Sequence, residues 1–261
     1  LMMSCAIMTQ LLTVADTDEV WIAHAELPDA VMRTLLVPGE AAAYARELRR
    51  GSVACAREIA AQFSPDGSHR EFVLRTASLL FDKMKAQHGL GREDRLLLEL
   101  AALLHECGYS INSRAHSEST YSLIRSLRIY GVSERLCMLT ALVAKHETLL
   151  SPSPADPDFD SLSEAERLLV AKLAAIFRLA NALDCSKKQK LSGFRIRIEA
   201  SELHISAVSS QNALLEEWAF SQCAPLFEEV FGLKPALQLK QKTDFFSKEG
   251  EPSQKGRNVR K

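Results

Sequence analysis

Residues 95–104, RLLLELAALL, are apolar nearly all the way round. A helix of that composition has no face to offer to water, so other helices must wrap it at the centre of a bundle. From about residue 40 to 182, Ala, Leu, Arg and Glu recur around it at helical spacing, with little that resembles a strand. The pattern predicts helices over 40–63, 69–87, 92–107, 116–128, 133–147 and 163–184. Ser64-Pro65-Asp66-Gly67, His88-Gly89-Leu90-Gly91, Gly108, Gly131 and a proline-rich run at 151–158 punctuate them. Gly108 is expected just past the end of the central helix, as its left-handed C′ residue.

The flanks read differently. Residues 1–38 look like the end of an α/β unit, with a helix over 6–15, a strand over 19–25 (EVWIAHA) and a Pro38-Gly39 turn. Beyond about 193, FRIRIEA and ELHISAV alternate with period two around a single Ser, which predicts a hairpin. A helix over 212–231 with Pro225 inside it and a strand over 236–242 follow; 243–261 reads as a disordered, Lys-rich tail. The opening Leu-Met-Met points either to a non-ATG start or to a longer parent chain.

Lys and Arg total 32 against 33 Asp and Glu, which argues against a general nucleic-acid binder while leaving room for a local basic groove. Six scattered cysteines with no CxxC pair fit reduced thiols in a cytoplasmic protein. No apolar run reaches the roughly 18–20 residues that span a bilayer, and the first dozen residues lack the basic start of a signal peptide. No glycine-rich phosphate loop, dinucleotide fingerprint or nucleophile elbow is present.

Histidines and acids fall at the ends of the predicted helices. His69 opens one, His105-Glu106 closes the buried one, and Asp184 ends another, while His116 and His146 lie on two between. Imidazole and carboxylate groups projecting inward from separate helices are how bundle-type metal sites are built. The same groups also suit a hydrogen-bonded polar core, with Arg178 as a counter-charge to Asp184.

An H…H-[DE]…D order across a helical bundle resembles the HD phosphohydrolases. The blocks HREFVLRTASLLFDKM (69–84), AALLHECGYSINSRAHSESTYSLI (101–124), ALVAKHE (141–147) and LAAIFRLANALDCS (173–186) are more specific. In this order they resemble the C-terminal half of the exopolyphosphatase/guanosine pentaphosphate phosphohydrolase (Ppx/GppA) family, over about residues 40–240. The resemblance implies a mostly α fold: an HD-like helical bundle over 39–190, then a small α+β domain over 191–242. Residues 1–38 would be an α/β remnant of an actin-like ATPase-fold domain. It implies phosphoanhydride hydrolysis of polyphosphate or guanosine penta- and tetraphosphate, with Mg²⁺, in a cytoplasmic homodimer with no DNA or membrane partner. It also implies that hydrolysis belongs to an N-terminal half whose phosphate loops and catalytic acid nothing here matches. This chain would then serve the polyphosphate channel, dimerisation or regulation.

Carried over position by position, His69, His105, Glu106 and Asp184 are the metal ligands, for Mn²⁺, Fe or Zn²⁺ if the site is occupied, with His116 and His146 as catalytic candidates. Glu106 stands where HD enzymes have Asp; its extra methylene moves the carboxylate by roughly 1.3–1.5 Å, against a tolerance of about 0.2 Å in ligand distances. Glu118 replaces the second His of an H-x-H-S run, placing an anion where an anionic substrate would come. Arg46, Arg49, Arg50, Arg125, Arg128, Lys187, Lys188 and Lys190 are the candidate polyanion contacts. A self-sufficient metal-dependent HD phosphohydrolase is the rival expectation.

Overall fold

The computed structural model describes residues 2–17, 37, 39–64, 66–147, 152–153 and 155–241. The strand expected over 19–25, Pro38, Pro65 and the tail over 243–261 lie outside these residues. The chain divides into two compact units, Leu1–Glu47 and Leu48–Lys261. The first holds helix α1 (Met2–Ala15) and the opening of α2 (Glu40–Phe63).

In the second unit, α2 continues and is followed by α3 (Ser68–Lys83), a single turn α4 (Lys85–His88) and α5 (Arg92–Leu104). A 3₁₀ turn (Cys107–Ser110), α6 (His116–Ser126), α7 (Glu134–Lys145), the single turn α8 (Pro157–Asp160) and α9 (Glu164–Ala182) complete the helical part. As the all-round apolar composition requires, every residue of α5 from 97 to 104 is buried. Its one acid there, Glu99, is neutralised by Arg49 from α2 and Arg95 from the preceding turn. Without those cations a buried carboxylate in the middle of the bundle would be prohibitively costly. Helix α9 starts on a reciprocal cap in which the Ser163 and Glu166 side chains each accept from the other's backbone N–H.

Two predicted helices end early. The stretch expected over 69–87 breaks at Met84, whose N–H is shared between the Leu80 and Phe81 carbonyls before α4 stops at left-handed Gly89. The central helix closes at Leu104, so Gly108 sits in the 3₁₀ turn and not at a C′ position. Its lack of a side chain serves a close approach: a Cβ there would lie 2.2 Å from the His116 carbonyl oxygen and 2.5 Å from the Thr120 nitrogen.

The last part is β1 (Leu191–Glu199), β2 (Glu202–Ser209), α10 (Leu214–Phe231) and β3 (Lys234–Gln241). β1 and β2 pair antiparallel, and α10 carries the chain across so that β3 runs parallel to β2, in the order β1-β2-β3. The hairpin turn is two residues, Ala200-Ser201, with Ala200 at φ +50°, rather than the single Ser expected. Leu203, Ile205 and Ala207 face inward, and Phe194 meets Phe72 of α3 edge-on at 5.7 Å. One hydrophobic core therefore runs from Ala56 in α2 to Leu233 before β3. The described residues show a mostly helical bundle with a small α+β part, as the sequence predicts. No described helix is long and apolar enough to cross a membrane.

Candidate functional site

Three chain ends converge at the tip of α5: the first turn of α3 with His69, the turn after Leu104 with His105 and Glu106, and the loop after α9 with Asp184. Nitrogens of His69 and His105 and a Glu106 oxygen all lie within 4.8 Å of one another. The two imidazole rings meet edge-on at 5.4 Å, and Phe177 closes the far side of His105 at 5.3 Å.

His105 is 1% exposed, and burial lowers its pKa to about 4, so the ring is neutral. Its Nδ1–H donates to the Ala102 carbonyl at 2.9 Å, which leaves the lone pair on Nε2. That atom is buried and has no hydrogen-bond partner. A buried imidazole acceptor with nothing to accept from is costly, and it is also the disposition of a metal-ligating histidine, whose other nitrogen holds a carbonyl.

His69 is oriented by Asp184. Its Nδ1–H donates to Oδ2 at 2.9 Å, and Nε2 faces the Asn181 side-chain oxygen Oδ1 at 3.0 Å. Asp184 also accepts from the Gln189 backbone N–H and from Gln189 Nε2, each at 2.7 Å. Burial works against its charge, but the bonds from His69 and Gln189 outweigh it and hold Asp184 below the usual carboxylate range. With both oxygens committed, Asp184 stands behind His69 as a positioning group and does not join the three-residue cluster. Arg178, expected as its counter-charge, donates through Nε to the His146 carbonyl at 2.6 Å.

Glu106 is ionised: burial opposes this, but the adjoining His105 imidazole and the Lys187 hydrogen bond and charge outweigh it and lower its pKa. The Lys187 ammonium donates to its Oε1 and sits 4.8 Å from the centre of the Tyr109 ring. Two non-glycine residues in the left-handed region, Lys187 at φ +56° and Gln189 at φ +46°, shape the loop that delivers these contacts. Such conformations cost of order 1–3 kcal/mol each and persist where neighbouring contacts impose them.

Tyr109 stacks on His116 at 4.0 Å with the rings 11° from parallel, and His116 Nε2 lies 2.7 Å from Glu147 Oε1. Burial, reinforced by the charge of Glu106, pushes the Glu147 carboxyl up to about 8, while burial pushes His116 down. At neutral pH Glu147 therefore keeps its proton, although its Oε1 has no hydrogen-bond partner despite the nearby imidazole. Glu147, Tyr109, Asn181 and Gln189 are absent from the sequence expectation. Glu147 directly follows His146 and Tyr109 lies in the same block as His105, but neither position says which group it meets in space. His146 itself is buried against Phe159. Glu118 is mostly exposed and pairs with Lys145 at 3.3 Å.

A pocket of about 190 Å³ is lined by Glu147, by Asn181 (which also meets His69) and by Arg178, Cys185, Trp218 and Cys223 among others.

Four of the eight expected polyanion contacts meet acids or hydroxyls. Arg49 is bound to Glu99, Arg125 to Tyr121 and Asp158, Lys187 to Glu106, and Lys190 to the buried Glu216 at 3.0 Å. Arg128 and Lys188 are exposed, as is Arg50, while Arg46 belongs to the first unit.

Among known families, the model for Ppx/GppA phosphatase, domain III, matches residues 51–223, from α2 to the middle of α10. Comparison with curated proteins gives no match. The matched span carries His69, His105, Glu106 and Asp184 together with the helices that bring them to one place, and it covers about two thirds of the sequence. By that extent of agreement, this chain belongs to the Ppx/GppA phosphatase family.

Proposed function

We propose that the chain works on phosphoanhydride chains, polyphosphate or guanosine penta- and tetraphosphate, as the C-terminal module of a Ppx/GppA-type exopolyphosphatase. Its part is to hold the phosphate chain, to dimerise or to regulate. The observation that carries this reading is the match to domain III over 51–223, in a sequence with no glycine-rich phosphate loop. The test is equilibrium binding of end-labelled polyphosphate to the full chain at increasing salt. Saturable binding that weakens steeply between about 50 and 200 mM salt is expected, because each neutralised phosphate releases counterions. No binding at low ionic strength overturns the reading.

One observation favours a second reading, a metal-dependent phosphohydrolase active by itself: the buried, unpartnered Nε2 of His105. His69, His105 and Glu106 fit a divalent cation by donor chemistry, and two imidazoles with one carboxylate suit Mn, Fe or Zn better than Mg²⁺. When bound, such an ion supplies a Lewis acid and a water of lowered pKa. The residues of the chain have separate duties. Asp184 orients the His69 ring through Nδ1, the Ala102 carbonyl keeps the His105 proton on Nδ1, and Lys187 steadies Glu106. Glu147, protonated at neutral pH, lines the pocket beside them. Elemental analysis of the purified chain beside its His105→Gln variant tests this. Stoichiometric metal in the first and little in the second supports the centre; metal-free chain that stays so in excess Mn²⁺ overturns it.

A further inference from the structure

The pocket lined by Glu147 and Arg178 has a mouth and a floor of different chemistry. Helix α10 supplies the mouth, where Trp218 is 59% exposed and Gln222 is exposed too. The floor comes from the turn after α7 and from α9: the Glu147 side chain is 5% exposed and Arg178 is 2% exposed. Between them the walls are short and apolar, with Ala182 from α9 and Ala219 from α10. Alanines at these two positions leave space that longer side chains would fill.

Arg178 stays charged at neutral pH, although burial lowers its pKa to about 10. Its Nε–H donates to the His146 carbonyl at 2.6 Å, which fixes the guanidinium plane. The acid that lines the pocket with it, Glu147, keeps its proton at neutral pH, and the buried Oε1 has no hydrogen-bond partner. Burial pushes the Cys185 thiol up to about 11 and raises the Cys223 thiol as well, so neither supplies a negative charge. Asn181 turns its Oδ1 to His69 Nε2, which leaves its N–H groups for a ligand. The described lining therefore offers a cation and several donors but no anion, and a carboxylate is the group that accepts from such a set.

Size and wall chemistry narrow the ligand further. An apolar cavity of roughly 150 Å³ takes a benzene ring, so about 190 Å³ suits one ring with a carboxylate attached. Drug-sized ligands occupy roughly 300–1,000 Å³. A phosphate chain needs donors along its length, which alanine walls and neutral thiols do not give. The Trp218 indole at the mouth offers a flat apolar surface to an aromatic body.

We propose that this pocket is a binding site for a small aromatic monocarboxylate, its carboxylate on Arg178 and Glu147 and its ring between Ala182, Ala219 and Trp218. The site uses none of His69, His105 and Glu106 and does not depend on the phosphoanhydride reading. Protonated Glu147 donates to the carboxylate and ionised Glu147 repels it, so binding weakens as pH rises through about 8. The titratable and charged groups around Glu147 are His116 at 2.7 Å, Glu106, Lys187, Tyr109 and Arg178. Burial pushes His116 below its ordinary value, so it has already lost its proton before Glu147 titrates.

The test is titration calorimetry of the full chain with benzoate, beside its neutral and cationic counterparts benzamide and benzylamine. Benzoate is expected to bind saturably at pH 7 with a dissociation constant on the order of 0.1–1 mM. Benzamide should bind at least tenfold more weakly and benzylamine not at all. From pH 7 to pH 9 the benzoate affinity of the wild type should fall about tenfold, whereas Glu147→Gln, which keeps a neutral donor, should stay level. Ala219→Leu fills the pocket from its wall and should cost at least tenfold. Trp218→Ala removes an exposed ring, leaves the core intact and should cost threefold or more; melting curves check that both variants fold. Failure of benzoate to bind overturns the site and leaves the proposed function standing. Benzamide or benzylamine bound as tightly as benzoate overturns the carboxylate assignment. Benzoate binding that neither wall variant weakens overturns the placement, and a pH dependence that survives Glu147→Gln overturns the part given to Glu147.

Discussion

Thr120 ties the candidate site together from behind. Fully buried, its hydroxyl donates to the His105 carbonyl at 2.9 Å and accepts from the Gly108 N–H at 3.0 Å. Thr120→Val keeps the shape and strands both backbone groups, so we expect a loss of about 2–4 kcal/mol in denaturant-unfolding stability. Gly108→Ala is expected to cost at least about 2 kcal/mol by the same measurement, because the new methyl group collides with backbone rather than with a side chain able to move away. The titrations have opposite signs. Below its ordinary value of 6.5, His105 takes up a proton in the unfolded chain but not in the folded one until about pH 4, so stability falls as pH drops through that window. Glu147 is protonated in the folded chain up to about pH 8 but ionises near 4.5 when unfolded, so its contribution falls as pH rises from 4.5 to 8. Glu147→Gln imitates the neutral acid and should flatten the loss on the alkaline side, read as denaturation midpoints against pH. The residue types at this site were legible in the sequence because imidazoles and carboxylates at helix ends are conspicuous. Their pairings were not: His69 meets Asp184 across 115 positions, and only the fold decides that Asp184 orients an imidazole while Glu106 faces the cluster.

At the scale of elements, helix ends do the positioning. The reciprocal Ser163–Glu166 cap begins α9, the helix that presents Arg178 and Asn181 and leads into Asp184. Ser163→Ala removes one partner of that cap and should lower the melting temperature by a few degrees, corresponding to about 1 kcal/mol. The loop after α9 has its own role, since Lys187 places a fixed positive charge on a carboxylate that a cation would also use. Lys187→Met keeps the stem and deletes the charge; titration calorimetry with Mn²⁺ should show binding tighter by on the order of tenfold, about 1.4 kcal/mol. Weaker binding would mean that Lys187 organises the site instead of competing for it. Hydrophobic periodicity was enough to find nearly all these elements. It misplaced ends where the cause is tertiary, as at Leu104, where the chain turns early so that Gly108 can slip under the His116 carbonyl.

For the whole molecule, the near-neutral total of 32 cations against 33 acids says nothing of where the charges lie. Arg49, Lys187 and Lys190 meet the acids Glu99, Glu106 and Glu216, whereas no ion pair to Arg195 or Arg197 is found among the described residues. Charge runs along the sequence pointed to the bundle because they are visible as runs. Arg195 and Arg197 are spaced by an intervening Ile and become a row only when the strand forms. The helical bundle and the sheet share one core, so a change at either is expected to be felt in the same unfolding transition. The account depends most on the bare, inward-facing nitrogen of His105, and ¹⁵N spectra of histidine-labelled chain test it directly, the resonance assigned by His105→Gln. We predict a ring protonated only on Nδ1, titrating near pH 4 in the metal-free chain, with an Nε2 signal that shifts on adding one equivalent of Zn²⁺. A proton on Nε2, or ordinary titration near pH 6.5 with no response to the metal, would contradict it.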